Sequence, residues 1–333
     1  MLYDVAIVGA GPAGSTAGYY LSKNGFKVAI VDKSNFPRDK PCGGGLPNHV
    51  IKRFNELISN DLIESHSHGG TTFSPSLKYK IKYTTKKPFT TMVLRRKFDY
   101  ELLKKAIKEG SEFIPKKKVI DIKISKDKAS LELADNTIID SRVVIGADGI
   151  WSTVAKKTGL KAKNQKIGFS VVEEYEIDEE TMDEYFGRDR LGYIHSKFKN
   201  LAGYGWVFPK KEHLNIGAGE VLYKPNKYKK NNLREVYLIY LSYLKKQRLI
   251  PSDIESERIS GGALPVYPHK KTYSDRVLLI GDAAGFINPT SGEGIYYDIK
   301  SAEMASETIE KSLKIKDLSA KYLSIFQKKW KKD

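Results

Sequence analysis

Residues 1–14 read Met1-Leu2-Tyr3-Asp4-Val5-Ala6-Ile7-Val8-Gly9-Ala10-Gly11-Pro12-Ala13-Gly14, and residues 27–32 read Lys27-Val28-Ala29-Ile30-Val31-Asp32. The first run is apolar and β-prone, and it ends in glycines spaced Gly9-x-Gly11-x-x-Gly14. Small residues, Ser15, Thr16, Ala17 and Gly18, continue as the start of a helix. A second β-prone run then closes on an acid eighteen residues past Gly14. Strand, glycine turn, helix, strand and acid make a dinucleotide-binding unit. Gly9 permits the tight turn, Gly11 lets backbone approach a pyrophosphate, and Gly14 lets helix and strand pack closely. The helix start offers free N–H groups and partial positive charge to phosphate. The Asp32 carboxylate stands where ribose hydroxyls would be.

A chain of 333 residues has room for about two domains. The glycine turn begins at residue 9, so no signal peptide is expected ahead of it, and no apolar run approaches the roughly 20 residues of a membrane span. The single cysteine, Cys42, excludes an internal disulfide and fits a reducing cytoplasm. Without Cys-x-x-Cys, a disulfide-reductase design is excluded too. Lys and Arg outnumber Asp and Glu, 57 to 40, which favours anionic partners. The basic residues are scattered and match no nucleic-acid motif, so nucleic acid is not expected. No metal-ligand pattern stands out.

Further along, residues 33–41 read as a loop and lead into Cys42-Gly43-Gly44-Gly45, suited to backbone lying flat against a ligand. Residues 48–58 look helical, and 71–95 alternate apolar and polar as strands, with Leu77, Tyr79, Ile81 and Tyr83 in phase. A helix follows Arg95, carrying Leu102, Leu103, Ala106 and Ile107. Short β-runs are predicted at 119–124, 129–133, 137–139 and 143–145, the last running into Gly146-Ala147-Asp148-Gly149. Residues 168–220 are β-rich and aromatic; 226–249 form an amphipathic helix. A buried strand at 276–280 runs into Gly281-Asp282-Ala283-Ala284-Gly285. A helix from about Gly292 to Ile309 and a last one at 316–330, with a basic end suited to anionic lipid, complete the chain. The fold class is α/β: a discontinuous Rossmann-like domain (1–50, 93–167 and 272–315), a β-sheet-rich domain (51–92 and 168–271) and a C-terminal helix (316–333).

Gly9–Gly14, Arg95-x-x-Phe98-Asp99, Ala147-Asp148-Gly149 and Gly281-Asp282-Ala283-Ala284 together resemble the p-hydroxybenzoate-hydroxylase-like class of flavoproteins. Pro41-Cys42-Gly43-Gly44-Gly45 and Tyr204-x-Trp206-x-Phe208-Pro209, with Gly217-x-Gly219 beyond, resemble the geranylgeranyl reductase family within it. The resemblance implies FAD, an FAD-binding domain beside a substrate domain, and reduction of prenyl double bonds. It places the pyrophosphate over Gly11, Pro12 and Ala13, and the adenosine near Asp32, Lys33, Arg95 and Val119. Asp282 would meet the ribityl chain. Cys42, Gly43, Gly44 and Gly45 would lie beside the isoalloxazine, with Gly292, Gly294 and Ile295 at its pyrimidine edge; Asp148, Gly149 and Gly285 complete the set. A helix N-terminus there contributes about 0.3–1 kcal/mol toward a nearby anion. Tyr204, Trp206 and Phe208 alternate on a strand and would line a lipid channel. Cys42 is the candidate proton donor, kept protonated by apolar surroundings. The expected substrate is a prenyl lipid or isoprenoid diphosphate, and the electron donor NAD(P)H or reduced ferredoxin. The expected location is cytoplasmic, with peripheral contact at the inner membrane face. The competing readings are a flavin monooxygenase of an aromatic substrate and an electron-transfer flavoprotein acting on quinone.

Overall fold

The computed structural model describes residues 1–221 and 232–332. Its contacts divide the chain into two units. The first comprises Met1–Arg38, Arg96–Gln165 and Leu264–Asp333; the second comprises Asp39–Arg95 and Lys166–Ala263. The divisions therefore fall after residues 38, 95, 165 and 263, against 50, 92, 167 and 271 read from sequence. Residues 39–50 go with the second unit because the Gly45–Pro47 strand pairs with Thr90–Met92 there.

In the first unit the strands Val277–Leu279, Ile138–Gly146, Leu2–Val8, Val28–Val31 and Glu112–Ile114 lie side by side in that order, all parallel. Val5, Ile7, Ile30, Val144 and Leu278 are fully buried, the continuous apolar pattern of strands covered on both faces. The register aligns Leu279, Gly146, Val8 and Val31 in one row. The two β-runs predicted at 137–139 and 143–145 are one strand, Ile138–Gly146. Its polar Asp140 and Arg142 interrupt the sequence pattern but not the backbone ladder, because Asp140 pairs with Lys128 and Arg142 with Asp4 at the rim.

Helix Pro12–Lys23 packs on helix Ile295–Ile315. The latter starts three residues later than read and runs on to Ile315, because Gly292 sits at φ +74, outside helical space. The last helix is Ala320–Trp330, begun by the Ser319 side chain accepting from Tyr322 N–H. It starts after 316 because Lys316 is left-handed and ends the preceding helix. Leu323 and Phe326 are buried, Phe286 meets the Trp330 ring at 5.0 Å, and Trp330 Nε1 donates to Thr272 Oγ1 at 3.1 Å. The apolar stripe is thus spent on docking, while Ile325 faces outward, 37% exposed.

Among the described residues, the second unit carries a seven-stranded sheet in the order Ser260–Pro265, Ile167–Glu176, His213–Val221, Gly203–Pro209, Gly192–Ser196, Gly69–Phe73, Lys80–Thr84. Helix Leu233–Lys246 covers one face; the first residues of the predicted 226–249 helix, 226–231, lie outside the described residues. Tyr237, Tyr240, Val207, Ile216 and Ala218 make that core. Gly205 leaves room for the Tyr240 ring, which would stand 2.8 Å from a Cβ. The helix read over 48–58 stops at Arg53, with turns beyond. Leu77, read as part of a strand, takes φ 61 in the turn before Lys80–Thr84.

Candidate functional site

The row Leu279, Gly146, Val8 and Val31 ends the parallel strands of the first unit. Gly281, Ala147, Gly9 and Asp32 follow it within a residue or two, so motifs scattered along the chain gather at the carboxyl edge of one sheet. Ligands of open parallel sheets bind at that edge. Gly9 has φ +103, and a Cβ on it would collide with the Ala147 carbonyl. A Cβ on Gly14 would collide with the Gly9 carbonyl oxygen. Gly11 differs: a Cβ there meets only Arg38 Nη2, at 3.6 Å. Gly9 and Gly14 are required by packing, whereas Gly11 leaves open space at the start of the Pro12–Lys23 helix. Ala13 closes against Gly281, whose φ of +55 admits the turn.

Asp32 accepts from Ala10 N–H and Ser34 N–H, each at 2.7 Å. The strand end is tied to the glycine turn through this carboxylate. Lys117 N–H donates to the Asp32 carbonyl, which brings the segment leading to Val119 alongside. Lys33 is exposed, and Val119 is the buried first residue of strand Val119–Ile124. Arg95 opens helix Arg95–Lys108 at the boundary of the units and is half-buried.

Asp148 is occupied locally. Its carboxylate accepts from Ser152 Oγ, Thr153 N–H and Val154 N–H at 2.5, 2.6 and 3.2 Å, holding the start of helix Thr153–Lys157. Burial pushes its pKa up, against these hydrogen bonds. Gly149 follows at φ +76 with open space around it. At the other end of the edge, Asp282 Oδ1 lies 3.6 Å from where a Gly294 Cβ would stand. Gly294 precedes helix Ile295–Ile315, and Ile295 is buried. Gly285, at φ +86, ends the short Gly281–Ala284 turn of helix.

Two residues here escaped the sequence reading. Arg38 pairs with the fully buried Asp99 at 3.2 Å and lies over the Phe36 ring at 4.7 Å. Its Nη1 is buried and has no hydrogen-bond partner. The guanidinium stands beside Gly11 through Nη2, the nitrogen that pairs with Asp99, and its spare Nη1 is a cationic donor that fits a pyrophosphate oxygen. Glu293 is the other: burial raises its pKa, and its Oε1 also lacks a partner. The open glycine, the spare guanidinium nitrogen, the Asp32 strand end and the long helix N-terminus together fit an FAD.

In the second unit Cys42, Gly43, Gly44 and Gly45 come together with Tyr204, Trp206 and Phe208. Strand Gly203–Pro209 presents the three rings as a ladder, with centroids 5.8 and 6.2 Å apart. Register places Gly219, Gly217 and Asn215 beside them. Gly217 is empty because the Trp206 ring fills the space its Cβ would need. Gly43 lies so close to Phe208 that a Cβ would stand 2.8 Å from the ring. Gly44, at φ +74, abuts the Val93 carbonyl, and its N–H donates to Cys42 Sγ at 3.4 Å. Burial pushes the Tyr204 phenol up to about 12.

A polar chain that sequence reasoning missed holds this arrangement. Asn215 accepts from Trp206 Nε1 at 2.8 Å and donates to the Cys42 carbonyl at 3.1 Å and to Glu174 Oε2 at 3.0 Å. Glu174 Oε1 pairs with the buried Lys210 at 2.7 Å. The Gly217-x-Gly219 spacing was the available signal for Asn215, since strand alternation puts it on the same face.

Among the described residues no group of His, Cys, Asp and Glu is arranged to hold a metal. Among the same described residues no helix is long and apolar enough to cross a membrane.

The family profile described as FAD binding domain matches residues 2–304. The chain is 33% identical to the digeranylgeranylglycerophospholipid reductase of Methanocaldococcus jannaschii, over 99% of this chain and 82% of that protein. The crystal structure of a geranylgeranyl bacteriochlorophyll reductase-like protein from Thermoplasma acidophilum superposes with a TM-score of 0.85 at 26% identity, covering 99% of this chain and 83% of that one. The flavin-dependent halogenase CmlS shares the fold, with a TM-score of 0.77 at 22% identity, over 100% of this chain and 62% of its own. The fold is therefore p-hydroxybenzoate-hydroxylase-like, with FAD as its cofactor. The chain belongs to the FAD binding domain family and, within it, to the geranylgeranyl reductase family of FAD-dependent oxidoreductases.

Proposed function

We propose that the enzyme saturates carbon–carbon double bonds of prenyl chains, carried on glycerol lipids or as isoprenoid diphosphates. The observation that carries this reading is the clamp of the one cysteine onto an aromatic wall: Gly43 against Phe208, and Asn215 holding both the Cys42 carbonyl and the Trp206 indole. An isolated alkene has no oxygen to take up charge, so hydride and proton must arrive on neighbouring carbons. FAD, when bound and reduced by the electron donor, would supply the hydride.

The residues of the chain do the rest. Gly11, Pro12, Ala13 and Arg38 would bind the pyrophosphate, Asp32 with Lys33 and the segment around Val119 the adenosine side, and Asp282, Gly292, Gly294 and Ile295 the ring end. Tyr204, Trp206 and Phe208 flank the chain and exclude water, and their faces steady developing positive charge. Cys42 Sγ holds the proton delivered to the second alkene carbon. The Gly44 N–H then steadies the sulfur that has lost it. The Tyr204 phenol, raised to about 12, stays protonated throughout the physiological range.

Electrons come from NAD(P)H or a reduced ferredoxin; the formal net charge of +17 suits an acidic donor protein. The same reading puts the enzyme in the cytoplasm, in peripheral contact with the membrane that holds its substrate. The test is anaerobic reduction with dithionite followed by mass spectrometry of an added geranylgeranyl lipid. The expected product gains two mass units per saturated bond; recovery of unaltered lipid from reduced, flavin-loaded protein rejects the reading.

A further inference from the structure

Strand Lys80–Thr84 is the edge of the seven-stranded sheet, and every residue in it is exposed. Lys78, Lys80, Lys82, Lys86 and Lys87 surround it, and no Asp or Glu occurs from residue 65 to residue 98. Edge lysines discourage pairing with another strand. That does not account for the apolar side chains among them. Tyr79 is 74% exposed, Ile81 72% and Phe89 52%, with Tyr83 in contact with the Phe89 ring at 5.3 Å.

Alternation puts Tyr79, Ile81 and Tyr83 on one face of the strand and Lys80 and Lys82 on the other. The register carries the apolar face inward. Ile81 pairs with Thr72, Thr72 with Ile194, and Ile194 with Trp206. Paired residues share a face, so the exposed apolar edge and the aromatic ladder occupy one side of one sheet. Thr72 and Ile194 between them are only half-buried. The opposite side carries the helix Leu233–Lys246.

We infer that residues 77–89 are the surface by which this protein rests on an anionic bilayer, and that the sheet face behind them leads a lipid chain to Tyr204, Trp206 and Phe208. Lysines gather at anionic headgroups, and tyrosine and phenylalanine enter the interface beside them. A second copy of this chain is opposed by the lysines themselves. The C-terminal helix is the weaker candidate, because Leu323 and Phe326 are already buried. The lipid-leading half of the inference rests on the prenyl-chain reading; the docking half does not.

The experiment is cosedimentation of the FAD-loaded protein with vesicles of phosphatidylcholine alone, or containing phosphatidylglycerol, with no prenyl lipid present. The protein should bind only the second kind. Lys78→Glu/Lys80→Glu/Lys82→Glu should lower partitioning on the order of 100-fold, and Tyr79→Ser/Phe89→Ser about tenfold. Lys328→Glu/Lys331→Glu/Lys332→Glu on the last helix should change it little. Flavin absorbance, equal in all variants, shows that each has folded. Wild-type protein that ignores anionic vesicles, edge variants that bind normally, or binding lost through the C-terminal variant overturns the inference. So does a surface whose binding is fully displaced by an acidic polymer and indifferent to Tyr79→Ser/Phe89→Ser, since that describes an acidic macromolecular partner. Turnover separates the two halves. The lysine variant should lose activity on vesicle-borne substrate and keep it on detergent-dispersed substrate; equal activity on both overturns the lipid-leading half. Wild-type protein inactive on either form ends the prenyl reading and leaves the docking result standing.

Discussion

The nucleotide edge of the first unit and the ladder face of the second use glycine for opposite ends. At Gly9 and Gly14 the missing side chain lets backbone meet backbone, and the collisions that a Cβ would make are with carbonyl groups that cannot move. At Gly43 and Gly217 the missing side chain makes room for the rings of Phe208 and Trp206. One region is fixed by main chain and suits a cofactor that stays. The other is fixed by aromatic side chains and suits a substrate that comes and goes. Substitutions should therefore cost cofactor in the first region and turnover in the second.

Four experiments can break or sharpen that contrast, in decreasing order of effect. Gly14→Val should abolish flavin retention, since the turn cannot form around a branched side chain; purified protein that stays yellow would refute the backbone argument. Cys42→Ala should keep its flavin spectrum and lose about 10²- to 10⁴-fold in single-turnover alkene reduction, the range for a positioned proton donor. Unchanged turnover would move the proton elsewhere. Arg38→Lys keeps a charge beside Asp99 but loses the planar fork, so FAD affinity should fall about tenfold while the rate at saturating FAD holds. An unaltered titration would mean the spare nitrogen does not reach the cofactor.

The smallest effect is a pH dependence on the helix-covered side of the second unit. His195 is buried, with Nδ1 2.8 Å from the Tyr240 hydroxyl, and burial lowers its pKa to about 4. Its folded value lies below the unfolded one, so between about pH 6.5 and 4 the unfolded chain binds the extra proton. Stability should fall as pH drops through that window, by at most about 1.4 kcal/mol per pH unit for one proton. His195→Phe should flatten the slope in denaturant melts; a slope that persists assigns it to other groups.

The nucleotide edge was legible because its signals are local: a strand, three glycines and an acid within 32 residues. The aromatic ladder was legible for a similar reason, since alternation along one strand sets its face. Arg38 was hidden because its meaning depends on Asp99, a partner on a distant helix. Asp148 stood out as part of a motif, yet its carboxylate holds the next helix. Glu174 and Lys210 read as two more charges in a basic chain until the sheet brings them together. Helix starts shifted where one backbone angle decided them, at Gly292 and Lys316.

Asn215 has a consequence for how such an enzyme can change. One amide holds the cysteine's backbone and the central ring of the wall, and it leans on a buried ion pair. Mutations on the two sides of that amide will not act additively. A lineage that widens the wall for a bulkier chain also loosens the thiol. Adaptation to new chain lengths should therefore accumulate farther along the same face, toward Thr72, two strands away from Trp206.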